Sequence, residues 1–267
     1  MIVDYHMHLR APDESIDHSV EAVERFVENA AEHRLDEIGF TEHVYYFKQT
    51  RTLWTVPFQS ERCVYDLDAY VEAIVQARER GLPVKLGLEV DYVPGREDET
   101  RALLAPYPWD YLLGSVHYVD GFGVDAEPRL LDEVGVDEAW RRYFDLLARA
   151  ALSGLFDSLS HPDLVKFFGQ RAAAFDYAEI ADAVAQSGVA IEVSTAGLRK
   201  PVGEIYPARP FLEMCLEAGR PVALSSDAHN PNDLAYRYDE ALEYLEFLGV
   251  DRLSVFERRE RRLEPIG

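Results

Sequence analysis

Two cysteines are all that 267 residues offer. Cys63 and Cys215 stand far apart and form no Cys-x-x-Cys pair, which argues against a disulfide framework or a thiolate zinc site. Cys215, in Phe-Leu-Glu-Met-Cys-Leu, reads as a small buried hydrophobe. No run of about 18 apolar residues exists, so no membrane-spanning helix is expected. The opening Met-Ile-Val-Asp-Tyr has neither a basic stretch nor an apolar stretch of signal-peptide length, and the expectation is a cytoplasmic protein. No Gly-x-Gly-x-x-Gly or Walker loop follows any candidate strand, which weakens a nucleotide-binding sheet. Positive charge is scarce: 27 Lys and Arg face 49 Asp and Glu, a net of -22. That field repels nucleic-acid polymers and anionic membranes. It leaves room for a small anionic substrate at a site carrying metal ions, whose charge dominates locally.

Short apolar runs alternate with longer amphipathic stretches. Strands are expected at Ile2–Tyr5, Glu37–Phe40, Val84–Leu88, Tyr111–Gly114, Asp157–Leu159, Val189–Val193 and Val222–Leu224. Helices are expected at Ser19–His33, Asp68–Arg80, Asp137–Leu152, Tyr177–Gln186, Arg209–Ala218 and Asn232–Leu248, where apolar residues recur every three or four positions, as Val23, Phe26, Val27 and Ala30 do. Gly81, Gly188 and Gly219 stand at helix-to-strand joints, as helix C-caps require. About seven such units predict an α/β fold, a parallel barrel in one domain over residues 1–267. The segment 44–66 lacks periodicity, is rich in aromatics, and reads as a lid or a satellite core.

Of eight histidines, His6, His8, His43, His117, His161 and His229 each closely follow a candidate strand. Barrel active sites gather at those C-terminal ends. In His6-Met-His8 and Asp227-Ala-His229 the paired residues are two apart, so both members reach the same side of an extended chain. Glu89 ends an apolar run, where a carboxylate is costly unless paired or bound to metal. Imidazole with carboxylate suits zinc, iron or manganese. His33 reads as a solvent-facing helix end, and His18 reads equally as a loop residue without a role. Glu42 and Asp91 alternate away from the ligands and read as structural or supporting.

The ordered set His6-x-His8, His43, Glu89, His117, His161, Asp227-x-His229 resembles the PHP (polymerase and histidinol phosphatase) family, with Gly-Phe-Thr-Glu-His, Gly-Ser-Val-His-Tyr, Ser-His-Pro-Asp and Ser-Ser-Asp-Ala-His as its most specific stretches. The resemblance runs from Asp4 to about Tyr238 and is strongest to stand-alone histidinol-phosphate phosphatases. It implies a distorted seven-stranded TIM-like β/α barrel with three divalent ions of zinc, iron or manganese. One ion would take His6, His8, Glu89 and Asp227; a second Glu89, His117 and His161; a third His43, His229 and His18. Glu89, Asp227 and His229 would be the catalytic residues. Ser194 and Arg199 would hold phosphate, with Lys166 as a further candidate. The implied activity is hydrolysis of a phosphate monoester, histidinol phosphate, in histidine biosynthesis. The implied partner is a small phosphorylated substrate, with no nucleic-acid polymer and no membrane. Competing readings are a phosphodiesterase or nuclease acting on nucleotides and a non-catalytic metal-binding module. An amidohydrolase would need an eighth strand and a bridging lysine, and neither can be placed.

Overall fold

Seven short apolar runs become strands lying side by side in chain order. They are β1 (Val3–Asp4), β2 (Glu37–Phe40), β3 (Val84–Asp91), β4 (Tyr111–Ser115), β5 (Ser158–Leu159), β6 (Ala190–Ser194) and β7 (Val222–Ser225). The computed structural model describes residues 1–10 and 15–267. All neighbouring strands pair in parallel. Every residue of β3 is buried, as a strand covered on both faces must be. The sheet curls until its ends meet. Met7 and Ala228 form a parallel bridge, with the His8 amide donating to the Ala228 carbonyl at 2.8 Å and the Ala228 amide to the His6 carbonyl at 3.2 Å. The barrel is therefore nearly closed, and its seam lies between the chain's first and last parallel strands.

Helices cover the outside. Ser19 caps Val20–Glu32 by accepting from the Ala22 amide at 3.1 Å, and Val20, Val23, Phe26 and Ala30 form its buried face. His33 ends that helix, exposed. The expected helix Asn232–Leu248 is shorter, spanning Tyr238–Phe247. Buried Asp4 accepts from the amides of Ser226 and Ala235 at 2.9 and 3.2 Å, and Ala235 and Arg237 adopt left-handed backbone, so the preceding chain forms only a 3₁₀ turn at Pro231–Asp233 and no α-helix. Segment 44–66 is folded, with 3₁₀ turns at Val44–Tyr46 and Lys48–Leu53 and a helix at Pro57–Arg62. Tyr45, Phe47, Leu53 and Trp54 are buried within it.

The N-terminal ends of the strands form a sealed floor. Tyr111 crosses the barrel and donates its hydroxyl to the Tyr5 carbonyl at 2.8 Å. Only glycine leaves space for that ring: a Cβ at Gly87 would lie 2.6 Å from Tyr111 Cζ, and one at Gly39 would strike the Tyr111 hydroxyl. Beneath it lies a hairpin that the sequence pattern did not announce, β8 (Arg252–Glu257) and β9 (Glu260–Pro265). Phe256 stacks on Tyr111 at 5.3 Å. The turn is pinned where Arg258 donates its amide to Asp110 at 3.2 Å and Arg259 donates its guanidinium to the Leu155 carbonyl at 2.7 Å. With this end closed, the opposite rim is left for chemistry.

Candidate metal centre

The rim collects side chains from six strands. The extended chain after β1 points His6 and His8 inward together, and β3 contributes Glu89 to the centre of the group. His6 Nε2 lies 3.5 Å from Glu89 Oε1 and 3.6 Å from Asp227 Oδ1. His8 Nε2 lies 3.3 Å from the same Asp227 oxygen and 3.8 Å from Glu89 Oε2. His117 and His161 approach Glu89 Oε1 at 3.3 and 3.0 Å through Nε2. His43 Nδ1 is 2.6 Å from Glu89 Oε2, yet neither atom has hydrogen-bonding geometry. Among the described residues, His6, His8 and Asp227 form one trio able to share an ion. His6, Glu89 and His161 form another, as do His43, Glu89 and His117, and His8, His43 and His229.

Buried polar atoms almost always have partners. Here His6 Nε2, His8 Nε2, His43 Nδ1 and Glu89 Oε2 are buried and have none. Their convergence fits a cation. The surrounding electrostatics point the same way. Burial disfavours charge on His6, but Glu192, Glu89 and Asp227 outweigh it and hold the imidazole well above its ordinary pKa. Burial likewise disfavours charge on His117, and Glu89 and Asp91 reverse it. Burial is also overcome at Glu89, by His117, His6 and His43, and at Asp227, by His6 and His229, so both stay ionised well below the usual carboxylate range. His43 is pushed down to about 3 by burial and by His8. Bound cations would take the place of the protons that this negative pocket draws in.

Three carboxylates hold the imidazoles from behind. Glu192 Oε1 meets His6 Nδ1 at 2.9 Å, and its other oxygen accepts the His161 amide at 2.5 Å. Asp91 meets His117 Nδ1 at 3.0 Å. Glu42 accepts the Leu9 amide at 2.6 Å and stands 3.6 Å from His8 Nδ1. Such contacts fix which ring nitrogen faces a metal. Glu42 and Asp91 do alternate away from the centre, and that is how they reach the backs of the rings. Glu192 went unassigned in the sequence, although an acid inside the apolar run Val189–Val193 carries the same signal as Glu89.

Four expected residues sit elsewhere. His18 is packed among Phe47, Tyr65 and Tyr70, and its Nε2 faces Glu42 Oε1 at 3.6 Å. Glu42 lies between it and His8, and His8 occupies the place beside His43 and His229. Lys166 is fully buried, pairs with Asp163 at 3.0 Å and donates to the Ile205 carbonyl at 3.0 Å, so its charge is spent inside the fold. Ser194 is buried and accepts from the Ala196 amide at 3.3 Å, capping the turn Thr195–Arg199. Arg199 donates to the carbonyls of Ser226 and Asp227. None of these four lines the cavity over the cluster.

That cavity, about 150 Å³, is walled by His43, His117, His161, Asp227 and His229 below and by Tyr45, Phe58, Tyr118 and Phe167 around them. Lys200 lines it too, its ammonium 5.9 Å from the Phe167 ring and without an ion-pair partner among the described residues. A larger hollow of about 550 Å³ lies at the floor, by Trp109 and Arg258, remote from the histidines.

The PHP domain model matches residues 4–196. A protein of Deinococcus radiodurans named "Probable histidinol-phosphatase" is 34% identical over 252 residues, covering 93% of this chain and 94% of the relative. The histidinol-phosphatase of Bacillus subtilis is 26% identical over 255 residues, covering 84% of this chain and 93% of its own. Among solved structures, the histidinol phosphate phosphatase of Lactococcus lactis, complexed with zinc, L-histidinol and phosphate, superposes with a TM-score of 0.75 at 22% identity, covering 98% of both chains. That likeness is one of fold.

Proposed function

Because the chain belongs to the PHP domain family, we infer that it is a metal-dependent phosphatase that hydrolyses histidinol phosphate to histidinol and phosphate. The observation that carries this reading is the set of buried, partnerless imidazole and carboxylate atoms facing one another around Glu89. Divalent cations bound there would supply positive charge to phosphoryl oxygens and lower the pKa of water. His6, His8 and Asp227 would hold one ion, Glu89 with His117 and His161, whose Nε2 atoms both approach its Oε1, a second, and His43 and His229 would complete a third beside His8.

The protein's own groups do the rest. Glu192 and Asp91 keep Nε2 of His6 and His117 directed at the centre. Lys200, on the cavity wall, would offer its ammonium to the phosphate. Tyr45, Phe58 and Phe167 exclude water, which strengthens every charge interaction inside. A cavity of about 150 Å³ suits a small ester better than a polymer.

The test is hydrolysis of histidinol phosphate against a bis-aryl phosphodiester, with bound metals measured by mass spectrometry. Histidinol phosphate is expected to be the preferred substrate by at least about a hundredfold in kcat/KM, roughly 2.7 kcal/mol. His117→Ala is expected to lose metal and most turnover while staying folded. Preference for the diester, or a metal-free active enzyme, would defeat the reading.

A further inference from the structure

We propose that Asp125 forms an ammonium subsite that restricts this phosphatase to phosphate esters of vicinal amino alcohols. The inference rests on histidinol phosphate being the substrate and deepens that reading. Asp227 and Asp125 are the two carboxylates lining the cavity among its described residues. Asp227 is occupied with His6, His8 and His229. Asp125 is exposed and has no hydrogen bond or ion pair among the described residues.

A bare carboxylate beside a phosphate site is unfavourable in itself, because it repels the incoming anion. It becomes an advantage when the substrate carries a cation next to the ester carbon. The negative charge then rejects plain anionic monoesters and welcomes the zwitterion, so one group supplies both repulsion and attraction. Its neighbours fit that role. Tyr118 and Phe58 line the same wall with ring centroids 6.2 Å apart, and Ala126 adds no charge. The charge of Asp125 reaches inward: burial raises the pKa of Tyr118 and of Tyr206, and Asp125 adds to the rise in both. Lys200 and Asp125 thus give the cavity one unpaired cation and one unpaired anion, matching the two charges of an amino-alcohol phosphate.

The experiment compares kcat/KM for histidinol phosphate with that for p-nitrophenyl phosphate, which lacks the amine, in the metal-loaded wild type, Asp125→Asn and Glu127→Gln. Glu127 is an exposed carboxylate nearby that lines no part of the cavity. The ratio is expected to fall about tenfold in D125N, the low end for a hydrogen bond to a charged group, with the loss in KM. It should hold in E127Q. Inhibition of p-nitrophenyl phosphate hydrolysis by histidinol should weaken in D125N by a similar factor, which reads the subsite without turnover of the amine substrate. An unchanged ratio and unchanged inhibition in metal-loaded D125N would overturn the subsite alone. A wild type inert towards histidinol phosphate would overturn the substrate reading and the subsite with it.

Discussion

Arg199 holds Asp227 from behind: one guanidinium nitrogen donates to the carbonyls of Ser226 and Asp227 at 2.8 and 3.0 Å. Asp227 sits at φ 52°, a left-handed conformation uncommon for non-glycine residues though tolerated by Asp. The side chain that the family resemblance assigns to phosphate is thereby engaged in presenting a candidate metal ligand. Arg199→Ala is expected to reduce metal affinity and kcat by about tenfold or more, the range for groups that orient ligands, and Arg199→Lys to restore little. Metal titration alongside kinetics decides this. A change confined to KM would return Arg199 to the substrate.

Glu192 links two candidate ligands at once, through His6 Nδ1 and the His161 amide. Glu192→Gln keeps the shape and removes the charge. Its metal affinity is expected to drop about 10- to 100-fold. Isothermal titration with zinc into the chelated protein measures it, and wild-type affinity would make Glu192 merely structural.

Metal removal should reverse the pH dependence of stability. Carboxylates raise the pKa of His6, His8 and His117 above the unfolded value of about 6.5 against the opposing effect of burial. Without metal, those protons stabilise the fold fully below about pH 6.5, and the gain is lost as pH rises through the raised values. With metal, the rings must be deprotonated, so stability weakens as pH falls. Thermal melts from pH 6.5 upward, with chelator and with zinc, are expected to slope in opposite directions; parallel slopes would refute the coupling.

At the floor, Gly87→Val would drive side-chain atoms into Tyr111 and Thr41. The expected cost is about 1–3 kcal/mol of stability or more, read by urea unfolding. The folded fraction should retain its metal content, since the candidate ligands lie at the opposite rim.

The sequence made the parallel strands and eight of the clustered residues legible because each ligand follows an apolar run, and a strand's two-residue period fixes which way a side chain turns. Three-dimensional competition lay beyond it. Lys166 is claimed by Asp163, Ser194 by the Ala196 amide and Arg199 by two carbonyls, and spacing cannot rank such partners. His18 fits the ligand order, but an aromatic box and Glu42 hold it. The terminal hairpin was hidden by its charges: Glu257-Arg-Arg-Glu-Arg-Arg262 reads as solvated, while Leu253, Val255 and Phe256 just before it are buried.

The seam where Met7 meets Ala228 is a single bridge with few hydrogen bonds. On one side of it stand His6 and His8, and on the other Asp227 and His229. An ion shared across that line would be a clasp as well as a reagent. Without metal the seam would be held by its few hydrogen bonds alone, beside strand edges of the kind that attract other chains. Starvation for the ion would then loosen the barrel at this line, and not only lower its activity.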